Sequence, residues 1–464
     1  MKLRTLFAYA IGPLGSAAIG VISLPLIAWY FPPEDIGRVV LLQTVAALVL
    51  NLLGLGLDQA YIREYHAAEH RAALFKTIFW LPLSLLIGLL IIMMGYRVEL
   101  AEQVVGISHA QAGSWVLAFC AALFLTRYLS LILRMQERAW AFSLSQLLPK
   151  IGVLLLVLLG GLGGWQAHNS TLIAIYALAQ WGAVLLLLGQ TRHDLFQALQ
   201  APLQLPVLRS SLQYGVPLML SGLAYWGLSS ADRWLLKLWG NLSELGVYSM
   251  AISLGAAALI VQNIFATVWS PTVFKWVKEE RNLEQIGKVF GYMLDVVVAV
   301  LCCVGLASPV IPFFLPAQYA DVQFIVLSSM LFPLLYTLTE ISGIGINVCK
   351  QTWINTLISV VALLIHVALC YGLIPAWGAK GAAMALAMAF WLFYAAKTEV
   401  SMRLWLPLPR VPAYGITLAA LLSCLAYTYA GNTENYGMFA LGWGAVLLGL
   451  GWKYRHLLRR WLPI

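Results

Sequence analysis

The stretch Tyr214–Tyr248, YGVPLMLSGLAYWGLSSADRWLLKLWGNLSELGVY, decides the fold. Most of it is apolar, and as a helix it is long enough to cross a bilayer. Asp232, Arg233 and Lys237 stand near its far end. The stretch also repeats the start of the chain. There, Tyr9-Ala-Ile-Gly-Pro13 leads into an apolar helix and a short loop with Asp35-Ile36-Gly37. Here, Tyr214-Gly-Val-Pro217 leads into an apolar helix and Glu244-Leu245-Gly246, with a few residues inserted. Duplicated membrane units of this kind occur in many transporters.

Composition extends the same reading. The 464 residues are 61% hydrophobic and 10% charged, with a mean hydropathy of +0.84. A soluble chain of this size needs more charge to cover its surface. Apolar runs of about 20 residues recur from end to end, with no interval long enough for a soluble domain. The sequence predicts an all-α polytopic membrane protein. The net charge of +9 is read as basic cytoplasmic loops, so no nucleic-acid partner is expected. The six cysteines form no CxxC pair and are read as apolar packing residues, so no metal site is expected. Residues 1–31 are read as a first spanning helix rather than a leader, because the run behind Lys2 and Arg4 is too long.

Fourteen spanning segments are predicted: 5–31, 38–61, 76–96, 114–134, 141–163, 171–190, 211–239, 246–272, 287–313, 322–346, 354–375, 381–400, 411–430 and 437–453. With the N-terminus in the cytoplasm, 21 Lys and Arg fall on that side, among them Lys2, Lys275, Arg281, Lys397, Lys453, Arg459 and Arg460. The opposite side holds Arg38, Arg97 and Lys380, and four bases remain inside the membrane. Such a bias orients a membrane protein and places both termini in the cytoplasm. The expected domains are a six-helix lobe, 1–190, a cytoplasmic linker, 191–210, with Pro202 and Pro206, and a second six-helix lobe, 211–402. Two additional helices and a basic tail occupy 403–464. The two six-helix sets are expected to be parallel repeats around a central cavity, with the last two helices outside that core.

Four stretches carry a family resemblance. Gly56-Leu57-Asp58-Gln59-Ala60 with Arg63-Glu64-Tyr65 ends the second segment. Asp232-Arg233 with Gly246-Val247-Tyr248 links the seventh and eighth. Trp269-Ser270-Pro271 with Phe274-Lys275 ends the eighth, and Leu373-Ile374-Pro375 through Gly378 and Gly381-Ala382-Ala383 joins the eleventh and twelfth. In their order and spacing the chain resembles the polysaccharide transport branch of the multidrug/oligosaccharidyl-lipid/polysaccharide exporters, and in particular Wzx-type O-antigen and capsule flippases. The resemblance implies two lobes that open alternately to each side of an inner membrane. It also implies a substrate of sugars on a polyprenyl diphosphate, destined for O-antigen, capsule, lipopolysaccharide or exopolysaccharide.

Ionisable residues inside a bilayer are costly and point to cavities or partners. Arg127 in the fourth segment and Lys150 in the fifth lie roughly 10–14 Å from the cytoplasmic face by helical rise. Neither has an expected acid at its depth. They are candidates to bind diphosphate, Arg through its planar fork and Lys as a point charge; snorkelling of Arg127 toward the cytoplasm, or a bond from it to helix carbonyls, is the competing reading. Arg233 and Lys237, four apart on one helix face, extend the candidate site toward the outer end, with interfacial anchoring as the alternative. Asp295, Glu340 and His366 are candidates for ion coupling, against a structural hydrogen-bonding role. Asp58, Arg63 and Glu64 form an expected network at the cytoplasmic end of the second segment. Tyr225 and Trp226 either stack on sugar or pack the core.

No nucleotide-binding loop, HExxH or fitting GxSxG is present, so neither a cofactor nor enzymatic chemistry is expected. A MATE-type drug or cation antiporter would share the fold but would be expected to carry acids, not bases, in the first-half cavity. A polysaccharide polymerase or ligase would need a larger outer loop. Expected partners are the lipid-linked oligosaccharide, membrane lipids and polysaccharide polymerase or chain-length machinery.

Overall fold

The computed structural model describes residues 3–163, 169–279, 283–351 and 353–455. Lys2, Arg281, Arg459 and Arg460 of the charge count, and the side chains of Tyr9 and Pro13 of the first repeat, lie outside what is described. Among the described residues there is no strand, and each of the fourteen predicted segments falls on a helix or a broken pair of helices. Nine described helices are long and apolar enough to cross a bilayer, counting Trp353–Leu404 once. The protein is an all-α, multi-pass membrane protein.

The chain divides into two compact units, Met1–Arg233 and Trp234–Ile464. The first holds α1 (Leu3–Tyr30), α2 (Pro33–Gly54), α3 (Leu57–Glu64), α4 (Arg71–Gly95), α5 (Arg97–Val105), α6 (Ala110–Met135), α7 (Ala139–Leu162), α8 (Thr171–Gln200) and most of α9 (Leu205–Trp239). Its centre is α6, with 78% of its apolar window buried. Small and hydroxyl side chains let neighbours come close in lipid, where apolar burial does not drive helix association. Thr126 accordingly donates to the Ala122 carbonyl and accepts from Gln180 Nε2 of α8 at 2.8 Å. The Trp181 indole of α8 donates to the Ala118 carbonyl at 2.9 Å. Phe79, Phe124 and Tyr128 then close an aromatic cluster between α4 and α6.

The expected linker 191–210 is mostly helical: α8 runs on to Gln200 and α9 starts at Leu205. The stretch Thr191–Gln200 has no Gly or Pro to stop the helix. The Lys76 ammonium caps its end, donating to the Leu199 and Ala201 carbonyls at 2.9 and 2.8 Å. Pro206 sits in the first turn of α9, where its missing N–H removes no helical bond.

The second unit holds α10 (Leu242–Gly255), α11 (Ala257–Lys278), α12 (Leu283–Ala307), α13 (Ile311–Phe314), α14 (Val322–Ser342), α15 (Ile344–Val348), α16 (Trp353–Leu404), α17 (Arg410–Ala430) and α18 (Tyr436–Lys453). Its centre is α14, with 83% of its window buried. The eleventh and twelfth segments run together as α16, bent at Gly378 with φ 49° and ψ −125°. Helices α17 and α18 pack within this unit. Trp443 lies against Gly305, where a Cβ would come within 2.6 Å of the ring. Tyr427 shares a hydrogen bond with Ser308 at 2.7 Å, and Thr428 with Ser328 at 2.7 Å.

Candidate functional site

The second predicted segment is not continuous. Leu55 (φ 51°) and Gly56 (φ 67°) both take the left-handed conformation and break it into α2 and α3. The break is packed against backbone: a Cβ on Gly56 would lie 2.1 Å from the Gly215 carbonyl oxygen. Arg63 of α3 places its guanidinium 4.5 Å from the centre of the Tyr214 ring. Tyr214-Gly215 and the close of the second segment therefore meet within the first unit.

The same break reorients Asp58. Its Oδ2 accepts from Arg127 Nη2 at 2.6 Å and from Nε at 3.2 Å. The expectation that Arg127 has no acid at its depth is thus corrected, because depth counted along an unbroken helix does not hold past Gly56. The expected grouping of Asp58 with Arg63 and Glu64 changes for the same reason: Arg63 pairs with Glu64 at 3.3 Å, and Asp58 turns to α6. The Arg127 side chain remains 43% exposed, and Nη1 has no partner among the described residues. Asp58 thereby fixes one edge of the guanidinium and leaves another available for an anion.

Lys150 of α7 donates to the Ser16 carbonyl of α1 at 2.8 Å, which leaves further ammonium donors. Arg233 and Lys237 lie in the last two turns of α9. Arg233 Nε is buried without a hydrogen-bond partner among the described residues, and its backbone N–H donates to Asp232 Oδ1 at 2.9 Å. Lys237 lies over the Trp234 ring at 5.2 Å. Asp232 is fully buried, and Trp226 is part-buried with its indole N–H enclosed.

The ion-coupling candidates separate into three settings. Asp295 of α12 accepts from Lys453 Nζ and from the Tyr454 hydroxyl, each at 2.5 Å. Its charge ties the end of α18 to α12, and burial together with that carboxylate pushes the Tyr454 hydroxyl up to about 12. Glu340 of α14 interacts electrostatically with Lys397 of α16. His366 is fully buried in α16. Among the described residues no cluster of three or more His, Cys, Asp or Glu could hold a metal ion.

The profile of the family described as polysaccharide biosynthesis protein matches residues 3–277, more than half of the chain. The chain belongs to that family. Among solved structures, lipid II flippase MurJ in an inward closed conformation matches with a TM-score of 0.73 at 14% identity, covering 97% of this chain and 99% of that chain. An inward-facing multidrug resistance MATE family transporter of the MOP superfamily matches with a TM-score of 0.60 at 15% identity, over 87% of this chain and 95% of that one. A search of curated proteins finds no match. At these identities the structural likeness is one of fold: this member of the polysaccharide biosynthesis family has the fold of MurJ and MATE proteins.

Proposed function

We propose that this member of the polysaccharide biosynthesis family flips a polyprenyl-diphosphate-linked oligosaccharide from the cytoplasmic to the outer leaflet of an inner membrane. Its termini lie in the cytoplasm. The observation that carries the reading is Arg127, a half-exposed guanidinium within a spanning helix, oriented through one edge by Asp58. A bare diphosphate in hydrocarbon is prohibitively unfavourable, so its path must supply positive charge. The free edge of Arg127 and the remaining donors of Lys150 would hold the diphosphate on the cytoplasmic side. Arg233 and Lys237, nearer the outer end of α9, would receive it as the lobes exchange access. Binding has to stay modest, because a site that favours one state too strongly stalls the cycle.

Two bases at the membrane depth of the first unit are a poor match to export of an organic cation, which weighs against the MATE-type alternative. No enzymatic role is proposed. Glu340 and His366 remain the coupling candidates, whereas the Lys453 contact gives Asp295 a structural task.

The test is purified protein in liposomes loaded with a fluorescent lipid-linked oligosaccharide, with a quencher added outside. Wild type is expected to make the probe cross leaflets in minutes, and Arg127→Ala to reduce this to the rate of empty liposomes at equal protein content. Normal crossing by an Arg127→Ala, Lys150→Ala double variant would remove the diphosphate assignment. Normal crossing of a fluorescent cation with none of the lipid would favour the antiporter.

A further inference from the structure

Lys397, counted by sequence among the cytoplasmic bases, is set inside the second unit between α14 and α16. Its Nζ stands 5.7 Å from the centre of the Tyr336 ring and 5.5 Å from that of Phe393. Those rings are nearly parallel, at 6° and 6.4 Å between centres. The stem of the lysine crosses just past the end of α14 at Gly343, where a Cβ would come within 2.8 Å of Cε and 2.9 Å of Cγ. One residue on either side of this contact, Ser342 and Thr398 share a hydrogen bond at 2.6 Å, which pins the two helices there. Glu340, one turn before Gly343, attracts the ammonium but makes no ion pair with it within 4.0 Å.

The three N–H donors of this ammonium have no acceptor among the described residues. Lys397 is part-buried, so the helices and rings around it take only part of its hydration, and a lysine kept only for packing is expected to find acceptors for its donors within the protein. Cation–π contacts at a partly exposed site return about 0.5–1 kcal/mol and fill none of the N–H donors. The rings do something else: they hold the charge away from Glu340 with its donors unused. That is the arrangement an anion needs, a partly shielded and still accessible cation with hydrogen bonds left to give.

We propose that Lys397 is a phosphate-binding group of the second unit, its ammonium taking an oxygen of the substrate's diphosphate while Tyr336 and Phe393 hold it in place. This rests on the lipid-diphosphate reading above and adds a contact that reading does not contain. Glu340 acts as the competitor. Its charge lies near the ammonium without pairing with it and keeps phosphate binding reversible.

Binding of farnesyl diphosphate, farnesol and inorganic pyrophosphate to the full chain in nanodiscs, measured by calorimetry, tests this. Lys397→Met keeps the stem and removes the charge, and should weaken farnesyl diphosphate about tenfold or more without changing farnesol. A parallel loss for pyrophosphate identifies the phosphate, not the prenyl chain, as the group read. Lys397→Arg should retain most of the affinity. Glu340→Gln, which removes the competitor, should tighten farnesyl diphosphate roughly threefold. Unchanged binding in Lys397→Met, or weaker binding in Glu340→Gln, overturns the assignment; the second variant decides if the first fails to fold. If wild type binds farnesyl diphosphate and only the Arg127 variants lose it, the function stands and Lys397 has no part in it. If wild type binds no diphosphate, the functional reading itself falls.

Discussion

Helices α6 and α14 hold the fourth and tenth predicted segments, and they are the most buried spans of their units at 78% and 83%. Each carries a charge, of opposite sign and differently managed. Arg127 on α6 is bonded directly to Asp58 through two nitrogens. Glu340 on α14 faces a lysine that rests on aromatic rings and stays out of ion-pair range. A membrane helix can therefore hold a charge in a fixed orientation by pairing one edge of it. It can also keep a charge conditional, by holding its partner nearby but apart. The first suits a docking group that must always point one way, and the second a group that changes partners.

The sharpest way to break this contrast is transport. Arg127→Ala should bring flipping to background and Arg127→Lys should restore part of it, whereas Glu340→Gln should retain measurable flipping. Equal losses in the α6 and α14 variants would mean that both charges serve one purpose.

Backbone substitutions come next. A Cβ on Gly56 would meet the Gly215 carbonyl at 2.1 Å, whereas one on Gly378 would meet the Glu244 carboxylate oxygen at 2.3 Å. Both glycines have positive φ. A backbone obstacle cannot step aside and a side-chain end can, so Gly56→Ala should cost about 3 kcal/mol and Gly378→Ala about 1–2 kcal/mol. Thermal unfolding in detergent measures both, and the reverse order would show that the α2–α3 break is the more compliant joint.

A third comparison uses double-mutant cycles. The Arg127–Asp58 pair should show a coupling of about 1 kcal/mol, kept small by its exposure, and the Lys397–Glu340 pair less than half of that. A stronger second coupling in the absence of diphosphate would mean that Lys397 and Glu340 are an ordinary ion pair. The smallest effect concerns the hydroxyl bonds of the two central helices. Thr126→Val, which loses Gln180, and Ser342→Ala, which loses Thr398, should each cost about 0.6 kcal/mol in chemical denaturation.

Much of the architecture was legible because the bilayer restricts the choices. A backbone in hydrocarbon must satisfy its own hydrogen bonds, so long apolar runs are helices, and all fourteen predicted segments fall on helices. The intramembrane bases could be picked out for the same reason, since a charge in such a run stands out from its neighbours. Their partners could not. Asp58 was placed at a helix end by counting residues along a straight rod, and the left-handed pair Leu55-Gly56 makes that count invalid. Gly54-Leu55-Gly56 was the available signal, two glycines within three residues of a helical run. Lys397 was sorted to the cytoplasmic loops because its apolar surroundings, Tyr336 and Phe393, are 61 residues away and on its own helix face respectively.

By itself the sequence determined the helical class and where the apolar helices lie, and it picked out Arg127, Lys150, Asp295 and Glu340 as charges within them, because each follows from local composition against the energy of lipid. Tertiary structure alone decided which charges are paired, Arg127 with Asp58 and Asp295 with Lys453, and which ammonium keeps its donors unused. Ion pairing depends on angstrom-scale distances between helices far apart in sequence, and those distances are set by left-handed residues and close-packed glycines at a few joints.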